Sequence, residues 1–118
     1  MEKYNSLVYD TSKGFARFVK INFAKSFNVE VFNDINNLKD VELLNFELAF
    51  VVINDFTDII IYNWIASRVK KVFIITEQTY LSHRSFTKNS VVINKNDFKR
   101  DIIELINRNI NDELKVIE

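Results

Sequence analysis

LAFVVI, residues 48–53, lies inside FELAFVVINDF (46–56), an apolar run that stops at Asn54-Asp55. Six apolar residues without polar alternation suit a strand covered on both faces, as in a parallel sheet flanked by helices. VFIIT (72–76) has the same character. Working outward, SLVYD (6–10), NVEVF (28–32) and SVVIN (90–94) complete five β-rich runs. In NVEVF, Val29 and Val31 alternate with Glu30, the pattern of an edge strand.

Segments of helical period separate these runs. TSKGFARFVKINFAKSF (11–27) brings Phe15, Phe18, Val19, Phe23 and Phe27 near one helical face, behind an N-cap at Thr11 or Ser12. A short helix is expected at about residues 36–45, centred on LKDVELL. Residues 55–69 read as a helix directing Ile60, Ile61, Trp64, Ile65 and Val69 inward, and residues 79–87 as a short fourth helix. The last helix, 97–114, carries a core stripe of Phe98, Ile102, Leu105, Ile106 and Ile110. Five βα units in succession predict a three-layer α/β domain of flavodoxin-like (βα)5 type, occupying 1–118 as a single domain. Right-handed crossovers favour the parallel order 2-1-3-4-5, which puts the two most apolar strands inside the sheet.

Composition narrows the function classes. Sixteen basic residues balance sixteen acidic ones, so no whole-molecule field favours nucleic acid or an anionic membrane. The absence of cysteine excludes a disulfide framework, a thiolate metal site and a cysteine nucleophile. One glycine (Gly14) and no proline exclude a glycine-rich phosphate cradle, and turns fall to asparagine, as in Asn33-Asp34 and Asn36-Asn37. No stretch has the length of a membrane span, and the amino-terminal residues lack the apolar region of a signal peptide. A cytoplasmic location is expected.

Ligands of open parallel sheets bind beyond the carboxyl ends of the strands, where strand order reverses. Those ends carry Asp10, Asn54 and Asp55, Thr76 and Lys95. LVYDTS, FVVIND, VFIIT and VINK, in that order, resemble the signature positions of the response-regulator receiver domain, and the resemblance covers essentially the whole chain. It implies a phosphoacceptor aspartate ending the third strand, an acidic pair after the first strand for Mg²⁺, and a hydroxyl and a lysine that contact the phosphoryl group. Carried over, Thr76 and Lys95 take the last two roles and Asp10 one place of the acidic pair. Spacing from Asp10 puts either Asn54 or Asp55 at the acceptor position, and only the aspartate has a nucleophilic carboxylate. Under that reading Asp55 is phosphorylated, and Asp10 and Asp55 hold Mg²⁺ where it is bound.

Departures from the family pattern mark a degenerate receiver. Tyr9 and Thr11 flank Asp10, so one magnesium-binding carboxylate is missing. The loop after the third strand is cut to NDFTD, Asn96 replaces the usual proline, Glu77 stands where a small residue is usual, and Val92 replaces a switch aromatic. Asp55 with Thr57 and Asp58 also makes an ordinary helix N-terminus, a cap followed by acid in the first turn. Lys95 can equally extend to solvent or pair with Asp10 or Asp55. His83, the only histidine, reads as a surface or interface residue.

The leading expectation is a receiver-like signalling module acting through protein–protein contacts, independent of phosphorylation, without enzymatic turnover and without a cofactor. The alternative is a Mg²⁺-dependent phosphoacceptor receiver using Asp55. A flavodoxin-like small-molecule domain is a third reading, with flavin disfavoured because the first loop offers only TSKG. The expected partner is a protein, either a histidine kinase or a second copy docking through the fourth helix, fifth strand and last helix. Tyr80, Phe86 and Arg100 are expected on that face. Neither nucleic acid nor membrane is an expected partner.

Overall fold

The computed structural model describes residues 3–12, 14–77 and 89–114, the last three as backbone. Five strands, β1 (Tyr4–Tyr9), β2 (Phe27–Phe32), β3 (Leu48–Ile53), β4 (Lys71–Thr76) and β5 (Ser90–Asn94), form one sheet in the order β2-β1-β3-β4-β5. All four pairings are parallel. Helices on both faces make this a three-layer flavodoxin-like α/β fold, as the alternation of apolar runs and helical periods predicts. The predicted fourth helix, 79–87, with Tyr80, His83 and Phe86, lies outside the described residues.

Every residue of β3 and β4 is buried, which is why these two strands show no alternation in the sequence. Edge strand β2 is only partly covered, matching its Val–Glu alternation. The sheet divides the core into two chemically different halves. On one face α1 (Gly14–Asn22) and α4 (Lys99–Leu114) cover Val8, Phe50, Val52, Phe73, Ile75 and Ile93. Phenylalanine rings run through this half, with Phe50 stacked on Phe73 at 5.0 Å and Phe23 on Phe27 at 4.8 Å between centroids. The other half is mainly aliphatic, packing Leu7, Val51 and Ile74 against Ile61, Tyr62 and Ile65 of α3 (Phe56–Ala66).

Several boundaries differ from the sequence reading. The first helix stops at Asn22, and Phe27 opens β2 instead of closing a long helix. The helix expected at 36–45 is a single turn, α2 (Ile35–Leu38), followed by a 3₁₀ turn at Leu43–Asn45. Asp34 caps α2 by accepting from the Asn36 amide, so polar turn chemistry wins over a weak apolar period. Ile60 and Phe98, both expected in core stripes, are 63% and 78% exposed. Ile60 lies one residue off the buried line of α3, and Phe98 precedes the first residue of α4. Asparagine forms a turn on leaving β5, where the Asn94 side chain accepts from the Asn96 amide at 2.9 Å, but Asn36-Asn37, expected as a turn, lies inside α2. Asn89 Nδ2 donates to the carbonyls of Ala66, the last residue of α3, and of Val69 just beyond it.

Candidate functional site

The parallel register brings the expected residues to one edge. Ile53 aligns with Thr76 and Thr76 with Asn94, so Asn54, Thr76 and Lys95 sit at or just past the ends of adjacent strands. Lys95 extends the ladder by donating its amide to the Thr76 carbonyl at 3.0 Å. Asp10 does the same at the β1–β2 seam, donating its amide to Phe32 O at 3.0 Å. Across the edge, Asn54 Nδ2 donates to Thr11 Oγ1 at 3.4 Å, linking the loops after β1 and β3.

The side chains then diverge. Asp10 is fully buried. Its Oδ1 accepts from the Ser12 amide at 3.0 Å and the Ser12 hydroxyl at 2.7 Å. Its Oδ2 accepts from the amides of Phe15 at 2.8 Å and Ala16 at 3.2 Å. The carboxylate thus takes the place at the head of α1 that the sequence reading gave to Thr11 or Ser12, and its negative charge faces the positive end of that helix.

Asp55 turns to the other face of the sheet. As N-cap of α3 it accepts from the amides of Thr57 at 2.9 Å and Asp58 at 3.4 Å. Asp58, only 4% exposed, reaches back and accepts from the amides of Asn54 at 2.8 Å and Asp55 at 3.2 Å. The two aspartates form a reciprocal capping box. Sequence reasoning found the cap at Asp55 but missed the buried return bond of Asp58. The signal was the spacing Asp-x-x-Asp ahead of an apolar run, a short-armed version of the usual pattern.

Tyr9 supplies a further polar group near the end of β1. Burial pushes its phenol above the ordinary 10.0, and the negative charges of Asp58, Asp34 and Asp55 push it further the same way. Thr76 is buried at 2% exposure, whereas Lys95 and Glu77 are exposed. Among the described residues no ion pair joins Lys95 to Asp10 or Asp55.

A Mg²⁺ ion needs carboxylate oxygens turned toward one octahedral site. The two candidate ligands are drawn instead to helix ends on opposite faces, and both oxygens of Asp10 already accept two hydrogen bonds each. No group of three or more His, Cys, Asp or Glu side chains converges among the described residues. The residues present do not fit the ion. A cleft of about 390 Å³ occurs elsewhere, lined by Asn5, Asn28, Glu30, Val41, Glu42, Asn45 and Phe46 near the amino ends of β1, β2 and β3.

No protein-family model matches this sequence, and no curated protein matches it. A likeness does emerge among solved structures. The chain is similar to the crystal structure of a response regulator receiver domain protein (CheY-like) from Methanospirillum hungatei JF-1. The TM-score is 0.66 at 15% identity, covering 97% of this chain and 98% of the other. At that identity the likeness is one of fold.

Proposed function

We propose that this chain is a receiver-like signal-transduction module that acts through protein–protein contacts and does not depend on phosphorylation or Mg²⁺. One observation carries the reading: the carboxylates at the ends of β1 and β3 are each committed to capping the helix that follows. A phosphoacceptor carboxylate must be free to attack phosphorus, with a metal beside it to neutralise the incoming charge. Turning the Asp55 carboxylate away from the head of α3 would give up the bonds its Oδ1 accepts from the Thr57 and Asp58 amides, and Asp10 turning to a metal would leave four donors unpaired. Neither turnover nor a bound cofactor is part of this reading. The output is an altered association with a protein, on a scaffold whose core is closed on both sides of the sheet.

The test is incubation of the protein with Mg²⁺ and acetyl phosphate, or with beryllofluoride. The expected result is an unchanged intact mass, unchanged Trp64 fluorescence and no saturable Mg²⁺ binding. Stoichiometric phosphorylation that disappears in Asp55→Asn would restore the phosphoacceptor reading.

A further inference from the structure

The cleft near the amino ends of the strands follows from what the chain does between β2 and β3. Residues 33–47 make one turn of α2 and a 3₁₀ turn, so on this face the start of β1 and β2 lacks the full helix that a βα unit lays over its sheet. β2 turns Phe27, Val29 and Val31 to the α1 side, which leaves Asn28 and Glu30, two positions apart, to line the cleft. Asn5 of β1 stands in register beside Asn28. The chain ahead of β3 lines it with Val41, Glu42 and Phe46. The space between is about 390 Å³, within the range of small-molecule sites.

A relay of side-chain amides sets what this cleft offers a ligand. The Asn45 carbonyl can only accept, and Asn5 Nδ2 donates to it at 3.5 Å. That turns Asn5 Oδ1 toward Asn28, whose Nδ2 donates to it at 3.1 Å. Among the described residues Asn28 Oδ1 is left without a donor, and so are the carboxylates of Glu30 and Glu42. The unmet polar groups are therefore all acceptors, and two of them are charged. Val41 and the buried Phe46 add an apolar wall. The surroundings have the same sign: residues 29–67 carry seven acidic side chains against a single base, Lys39. The local field draws in cations although the chain as a whole is neutral.

We infer that this cleft binds a linear aliphatic polyamine, with its ammonium groups on Glu30 and Glu42 and its methylenes along Val41 and Phe46. Ammonium groups bring donors and positive charge and no acceptors, which complements the lining. The alkyl segments between them suit the apolar wall. A metal ion would make no use of that wall. Mg²⁺ and Ca²⁺ take about six or more oxygen ligands, and two carboxylates beside a valine and a phenylalanine do not supply such a shell. An anionic ligand would set acceptors against acceptors. The cleft lies at the opposite end of the strands from Asp10 and Asp55, so its occupancy does not depend on whether Asp55 is phosphorylated.

Heteronuclear NMR titration of the full chain with spermidine tests the inference. Saturable shifts are expected at the side-chain amides of Asn5 and Asn28 and at the backbone amides of Val41 and Phe46. Glu30→Gln and Glu42→Gln, both at exposed positions, should each weaken binding about three- to fivefold, and the double variant should no longer saturate. Glu104→Gln, on α4, should leave binding unchanged. Circular dichroism melts serve as the control that each variant folds. On the parent chain, unbranched diamines of three, four and five methylenes should gain about twofold in affinity per added methylene at constant charge. Affinity that ignores chain length and is matched by Mg²⁺ would mean two surface carboxylates attracting any dication, and overturns the inference. Undiminished binding by the double variant, or no saturation in the parent chain, overturns it as well. Saturation by a lysine-bearing peptide and by no free amine gives the cleft to a protein's lysine side chains and overturns the polyamine as ligand.

Discussion

Two turns of this molecule have the same design and opposite exposure. After β1 and after β3, a central strand ends in an aspartate that holds the next helix by its backbone amides. At the first turn the carboxylate is fully buried and accepts four hydrogen bonds. At the second, Asp55 is exposed and accepts two, and the buried acid is its box partner Asp58. The difference shows that position at a strand end does not make a carboxylate available for chemistry. Where an aspartate is dry, its bonds are structural and hard to exchange. Where it is wet, water can stand in for those bonds, and losing them costs less.

Substitutions can break or sharpen that contrast. Asp10→Ala strands three amides and a hydroxyl and removes a charge that meets a helix end, so a loss of about 3 kcal/mol or more is expected in urea unfolding. A loss no larger than that of an exposed cap would erase the distinction between the turns. Asp58→Ala removes a buried acceptor from two amides and should cost about 2 kcal/mol by the same measurement. Asp55→Ala is expected to cost about 1 kcal/mol, and Asp55→Asn only a few tenths, because asparagine caps nearly as well. Equal losses for Asp55→Ala and Asp10→Ala would mean that exposure is not the deciding variable.

The smallest effect concerns Tyr9, which senses Asp58, Asp34 and Asp55 across the α3 side of the sheet. In the unfolded chain its phenol ionises near 10.0, and in the fold it does so higher. The stability gained by keeping it neutral is complete below the unfolded value and is lost as pH climbs through the folded one. Alkaline unfolding curves should therefore be steeper for the parent chain than for Tyr9→Phe. Parallel curves would remove Tyr9 from the electrostatics of this turn.

The same reasoning explains why the cores are unequal in kind. The phenylalanine-rich half receives α1 and α4, whose buried faces are phenylalanine, valine and isoleucine at helical spacing. The aliphatic half receives α3, which is apolar nearly all round, and its inward side alone is enough to close the core. What remains outside, Phe56 and Ile60, is surplus to closing the core.

Sequence alone determined the order of the described strands, the parallel sheet and which strands are central. Those follow from local rules: LAFVVI and VFIIT lack alternation because both faces are covered, and NVEVF alternates because one is not. It also brought Asp10, Asn54, Asp55, Thr76 and Lys95 to one edge, since a parallel sheet gathers its strand ends. Only the tertiary structure decided which way those side chains turn. Asp10 and Asp55 each had two uses open to them, a shared ligand or a helix cap, and spacing along the chain cannot separate the two. The choice depends on where the first amides of α1 and α3 lie in space, and those helices start on opposite faces of the sheet. For the same reason no periodicity could place Ile60 outside: a helix apolar on every side acquires an inward face only when the sheet it covers is present.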